Sequence, residues 1–148
     1  MVKYRQREGW SHREIVGALD AAFYNAFGAV HPSGKRTLLV LDVSGSMTMP
    51  ISNMPLTCRE ASTTLALVTM ATEPECEVVG FTGSGGDWRE APLLTELGIS
   101  PRQRLDDAVR AVSDLPFGGT DCALPMVWAK ESGKEFDSFA VLTEFAKS

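Results

Sequence analysis

A chain of 148 residues is long enough for one domain with a single core and short for two. Its 14 basic and 19 acidic residues leave a net charge of -5, which excludes a global field drawing the protein to nucleic acid or an anionic membrane; any such binding is local. The three cysteines, Cys58, Cys76 and Cys122, are widely spaced and form no CxxC pair, so they argue against a disulfide framework or a structural zinc site and read as reduced, small core residues.

The first residues, "MVKYRQREGWSHRE", hold no apolar signal core, and no apolar run approaches the roughly 18 residues of a membrane-spanning helix, so the expected location is the cytoplasm, without a membrane partner. Ser11 and Glu14 then form a capping box ahead of Ile15, Leu19, Ala22, Phe23, Ala26 and Phe27, whose spacing predicts an amphipathic helix ended by Gly28. "HPSGK", residues 31–35, is turn chemistry, and Leu38 to Val43 follows as a strand apolar on both faces, as in the middle of a parallel sheet. A second capping box, Thr57 and Glu60, opens a helix through about Thr72.

"CEVVGF", residues 76–81, is a second strand, and after the glycine-rich "TGSGGDW" the segment "REAPLL" reads as a short edge strand, since Pro92 excludes a central one. Ser100, Pro101 and Gln103 supply an N-cap, a first-turn proline and an N3 glutamine to a helix buried through Leu105, Ala108, Val109, Val112 and Leu115. "PFGGTDCALP", residues 116–125, is a loop feeding a helix to about Lys130, and "FAVL", residues 139–142, is a further all-apolar strand. Helices alternating with doubly buried strands point to an open, doubly wound, mostly parallel α/β sheet.

In such sheets ligands bind beyond the carboxyl ends of the strands, where Asp42, Ser44 and Ser46 lie. One carboxylate and two hydroxyls on a tight loop suit a hard octahedral cation such as Mg2+ or Mn2+, which takes few protein ligands and keeps several waters. Thr120 in "GGTDC" qualifies as a ligand from a second loop, because two glycines let the backbone approach closely. The alternative is that Asp42 and Ser44 only cap the next turn. Other chemistry is poorly supplied: Asp42 lacks the second aspartate of a covalent phosphotransferase, no GxSxG occurs, and "GSGG" lacks the GK[ST] ending of a phosphate loop. Met47, Met49 and Met54 beside the site read as packing or loop cover.

"DVSGSM" together with "GGTD" resembles the metal-ion-dependent adhesion site of von Willebrand factor type A domains. More narrowly, "ALDAAFYNAFGAVHPSGKRTLLVLDVSGSM" and "ISPRQRLDDAVRAVSDLPFGGTDCALPMVWA" resemble the carboxyl-terminal half of the Ro ribonucleoprotein, or TROVE-module, family in a bacterial version. The resemblance implies a von Willebrand A-like fold over residues 14–148, with sheet order 3-2-1-4-5-6 and its last strands absent, and metal positions at Asp42, Ser44, Ser46 and Thr120. The family's last acidic ligand follows its fourth main strand in Thr-Asp-Asn-Glu-Thr; here "TEFAKS" puts Glu144 in that place. Family members carry a helical-repeat ring that binds misfolded and small noncoding RNA, and residues 1–13 resemble a remnant of it, with His12 matching a histidine implicated in RNA contact.

These features predict a divalent-cation-dependent binding module that is not an enzyme, in which Mg2+ accepts an Asp or Glu carboxylate from a protein partner. RNA binding through Lys3, Arg5, Arg7, Arg13 and His12, interleaved with Tyr4 and Trp10, is the alternative, and a non-functional shortened fragment is another. The strand at 138–143 has neither the lysines nor the prolines that block pairing at natural edges, so self-association through it is expected.

Overall fold

The computed structural model describes residues 13–81, 94–115 and 121–144. In chain order they form α1 (Arg13–Ala26), a 3-10 turn (Phe27–Ala29), β1 (Thr37–Asp42), a second 3-10 turn (Gly45–Thr48), α2 (Cys58–Thr72), β2 (Cys76–Phe81), β3 (Leu94–Glu96), α3 (Leu105–Ser113), α4 (Leu124–Ser132) and β4 (Ser138–Leu142). The strands make one sheet in the order β3-β2-β1-β4, parallel except for β3, which runs against β2. The shared order of the first four strands fits the doubly wound, von Willebrand A-like expectation.

All six residues of β1 are buried, because the strand is flanked by β2 and β4 and covered on both faces. Leu39, Leu41 and Val43 pack with Ala66 of α2 and Val112 of α3 on one side. Leu38 and Val40 pack with Val79, Phe81, Leu124 and Trp128 on the other, so α4 covers the second face. Gly80 is the one strand glycine with a packing reason: an added Cβ would lie 2.8 Å from a methyl of Leu97, so its absence lets the chain after β3 close over β2.

Four expectations are corrected. Helix α1 turns Val16, Phe23, Tyr24 and Phe27 inward and leaves Ile15, Leu19, Ala22 and Ala26 exposed. Both stripes satisfy a 3.6-residue period; the edge-to-face packing of Phe23, Tyr24 and Phe27 and a hydrogen bond from the Tyr24 hydroxyl to the Gln103 carbonyl select this one. Helix α3 begins at Leu105, not at the Ser100 cap. Ser100 and Gln103 do bond reciprocally, Gln103 N–H to the Ser100 carbonyl and Ser100 N–H to the Gln103 side chain, but they close a separate turn, and extended Arg104 leads into the helix. The cysteines are free thiols as expected, but only Cys76 packs against the core; Cys58 is half-buried and Cys122 exposed. The edge strand expected at 89–94 falls at Leu94–Glu96; the rest of that segment lies outside the described residues.

The turn before β1 is held from two sides. The Glu73 carboxylate accepts the Ser33 and Gly34 N–H groups, and Gly34 supplies the positive φ of 69° that the turn requires. The Asp137 carboxylate accepts the Arg36 backbone N–H, Nε and Nη2 at 2.9, 3.1 and 2.9 Å. These bonds pull the Asp137 carboxyl down to about 2. A carboxylate depressed in the fold contributes stability that is complete above its unfolded value of about 3.9 and is lost as pH falls through the folded one. Urea midpoints should therefore drop between about pH 4 and pH 2, and Asp137→Asn should flatten that dependence; an unchanged slope would rule out this contact as an acid-sensitive clasp.

Candidate metal centre

Strands β1 and β4 are parallel neighbours, so their carboxyl ends lie together, and this brings Asp42 beside Thr143 across 101 positions of sequence. Asp42 is only 2% exposed. One of its carboxylate oxygens accepts the Ser44 backbone N–H at 2.8 Å, and the other accepts the Thr143 hydroxyl at 2.6 Å. The first bond is a local turn contact of the kind an Asp makes two residues ahead. The second links two strands and fixes the carboxylate plane.

Ser44 and Ser46 lie on the loop leaving β1, at the start of the short 3-10 turn, and their hydroxyls are hydrogen-bonded to each other at 2.9 Å. The donor set is hard oxygen throughout, the kind Mg2+ takes, and the 2.9 Å between the two hydroxyls is the length of the hydrogen bond that joins them. Among the described residues there is no cluster of three or more His, Cys, Asp or Glu suited to a metal, so a softer or all-carboxylate site is not formed there. Thr120 lies outside the described residues, as do Lys3, Arg5 and His12. Glu144 is half-buried and directly follows Thr143.

Arg59 was not singled out by its sequence pattern, since an arginine in the first turn of a helix normally reads as a surface charge. The structure buries it to 5% exposure, with Nη2 donating at 2.9 Å to both the Val43 and Ser44 carbonyls. Burial pulls the guanidinium below its ordinary value and the nearby Asp42 charge opposes that. It stays cationic, because an arginine is not deprotonated in a protein. One side chain thus holds the carbonyl of the Ser44 peptide and of the residue before it, and so sets where the Ser44 N–H and hydroxyl point. Helix α2 can carry this clamp because its start is fixed by the predicted capping box, with Glu60 N–H to Thr57 Oγ1 at 3.2 Å and Thr57 N–H to the Glu60 carboxylate at 2.8 Å. Thr143, next to Glu144, carries no sequence signal either, and only the register of β1 with β4 reveals its contact.

A protein-family model described as "Ro60 vWA domain" matches residues 36–147. The RNA-binding protein RO60 of Caenorhabditis elegans is 41% identical over 133 residues, 90% of this chain and 19% of that protein. The RNA-binding protein RO60 of Deinococcus radiodurans is 40% identical over 132 residues, 88% of this chain and 23% of that protein. The crystal structure of the Deinococcus radiodurans RO (RSR) protein superposes with a TM-score of 0.75 at 39% identity, covering 91% of this chain and 26% of that one. The chain thus spans only about a fifth to a quarter of the length of these relatives.

Proposed function

The chain belongs to the Ro60 vWA domain family, and from that premise we propose that it is a divalent-cation-dependent binding module whose ligands meet Mg2+ or Mn2+ at the carboxyl end of β1. The observation that supports this most is the hard-oxygen donor set itself, two serine hydroxyls beside a buried carboxylate at the carboxyl end of β1. Asp42, Ser44 and Ser46 would hold the cation, with Thr120 as a further ligand from its own loop. When bound, the cation supplies a Lewis-acid position able to take a carboxylate oxygen from a protein partner. Around it the chain's own groups orient and restrain: Thr143 fixes the Asp42 carboxylate, Arg59 fixes the loop, and the buried strands beneath keep both rigid. The proposed activity is recognition and not turnover.

Titration calorimetry with Mg2+, and Mn2+-enhanced water relaxation, test the proposal. Saturable binding that Asp42→Asn removes is the expected result. Thr143→Val should weaken the cation by about tenfold to a hundredfold, since it frees the ligating carboxylate to rotate. No relaxation effect at millimolar Mn2+ would refute the site.

A second reading is favoured by the names of the curated relatives, which are RNA-binding proteins. Here the arm at residues 3–13, with Lys3, Arg5 and His12, would hold the phosphates of a small noncoding RNA while Tyr4 or Trp10 stacks a base. Binding of this kind weakens steeply with salt and survives chelation of the metal, which separates it from the first reading in one anisotropy experiment on single-stranded RNA.

A further inference from the structure

Strand β2 is paired along its whole length on one side and along only half of it on the other. Residues Cys76–Phe81 run beside β1 from end to end, but β3 pairs only with Val79, Gly80 and Phe81. The chain then turns away: the Ile99 N–H bonds to the Leu97 carbonyl at 2.7 Å, and Ile99 packs on the core formed with α2 and α3. The first half of β2 is left as an open edge, at the end of the sheet opposite Asp42.

Two hydrogen bonds fix which backbone groups lie on that edge. The Glu75 carbonyl accepts the Thr37 N–H at 2.8 Å and so points toward β1, whereas the Val78 carbonyl accepts the Leu97 N–H at 3.5 Å and points away from it. The peptide groups of a pleated strand alternate between its two sides, so the Cys76 N–H and carbonyl and the Val78 N–H face outward. Among the described residues none of these three groups has a hydrogen-bond partner. Such a row of unpaired groups is a template for another strand.

The two faces of the edge differ in chemistry. A groove of about 250 Å3 opens there, lined on the α2 and α3 side by Met70, Val78, Leu97 and Ile99. Glu77 falls on the opposite face with Val79, and Glu96, which stands across from Val79 in the ladder, joins it there. The Glu77 carboxylate is bonded by Lys134 Nζ at 2.8 and 2.9 Å, while exposed Glu96 has no ion-pair partner among the described residues. Glu75 adds a further carboxylate just before the strand, and Arg36 nearby is taken up by Glu135 and Asp137. The surplus at this edge is therefore negative. Burial, and behind it the charges of Glu73 and Glu77, push the Cys76 thiol up to about 11.

We propose that the open half of β2 is a strand-docking site for another protein, and that its occupant is an extended segment in which Lys or Arg alternates with large apolar residues. Laid beside Cys76 and Val78, such a strand pairs with the three outward backbone groups. Its side chains alternate between the faces, so every second one enters the apolar groove and those between meet Glu77 and Glu96. Charge complementarity selects a basic segment over an acidic one, and it disfavours a nucleic-acid backbone or an anionic lipid surface. A second copy docking through β4 is a poor match, since "SFAVL" brings no cation. The site shares no residue with the metal centre, and its test stands apart from that reading.

The probe is a heptapeptide of alternating Lys and Val, titrated at low salt into the full 15N-labelled chain and followed by NMR. Saturable binding should shift the Cys76 and Val78 amide resonances and slow their hydrogen exchange, while the amides of β4 stay in place. The same peptide with Glu for Lys, or N-methylated throughout, should bind at least tenfold more weakly. Glu96→Lys, at an exposed position outside the core, should weaken the Lys-Val peptide about fivefold, and Glu96→Gln should weaken it less. No binding at millimolar peptide, equal binding of either control peptide, or an affinity indifferent to Glu96→Lys would each overturn the proposal. Shifts confined to β4 would move the site to the other edge of the sheet and would overturn it too. Binding seen only after Lys3 and Arg5 are both replaced by Glu would make the chain's own arm the occupant, against a partner protein.

Discussion

Arg59→Met is expected to lower the stability of the chain by about 3 kcal/mol and to weaken cation binding at the same time. The aliphatic part of the replacement keeps most of the packing around α2. What it removes is the donor shared by the Val43 and Ser44 carbonyls and the positive charge near Asp42, whose carboxylate is 2% exposed. Two carbonyls then seek other donors, and a carboxylate largely withdrawn from water loses its nearby cationic charge, which costs more than the pair contributes when intact. For that reason Asp42→Asn in the Arg59→Met background should be milder than the sum of the single changes. A coupling of at least about 1 kcal/mol in a urea double-mutant cycle is expected. Strict additivity would show that Arg59 and Asp42 do not sense one another and would withdraw Arg59 from the site.

The isolated chain is expected to self-associate through β4. Among the described residues this strand pairs with β1 alone, so its other edge presents unpaired backbone N–H and carbonyl groups. The sequence "SFAVL" has no Lys, Pro or glycine to interrupt pairing, and Phe139 is 38% exposed beside Phe136. Pairing of this edge with its copy would satisfy the backbone and cover the phenylalanine. Sedimentation velocity across a concentration series should show a reversible dimer. Phe139→Lys is the suitable probe, because Val141 packs into the core beside Leu38 and Val40 and a lysine there would unfold the domain before it informed on the edge. The lysine at 139 should raise the dimer dissociation constant at least tenfold. A monomer at every concentration would overturn the expectation.

Local patterns carried much of the architecture. The run from Leu38 to Val43 announces a buried strand because only a strand covered on both faces tolerates unbroken aliphatics. Thr57 with Glu60 announces a helix start because the reciprocal bonds of a capping box are made within four residues, and both are present. Asp42, Ser44 and Ser46 were legible as a hard-oxygen set for the same reason, being two residues apart on one turn. Tertiary structure decided what local spacing leaves open. Two stripes of α1 share one period, and only the aromatic contacts and the Tyr24 bond to Gln103 choose between them. The Ser100 cap obeys every local rule for a helix start, yet its hydrogen bonds close a separate turn and α3 begins only after Arg104. Thr143 reaches Asp42 through strand register, and Arg59 reaches Val43 and Ser44 because α2 packs over the end of β1. Such partners are far apart along the chain, and no periodicity or turn rule encodes a contact made only when two elements are laid side by side.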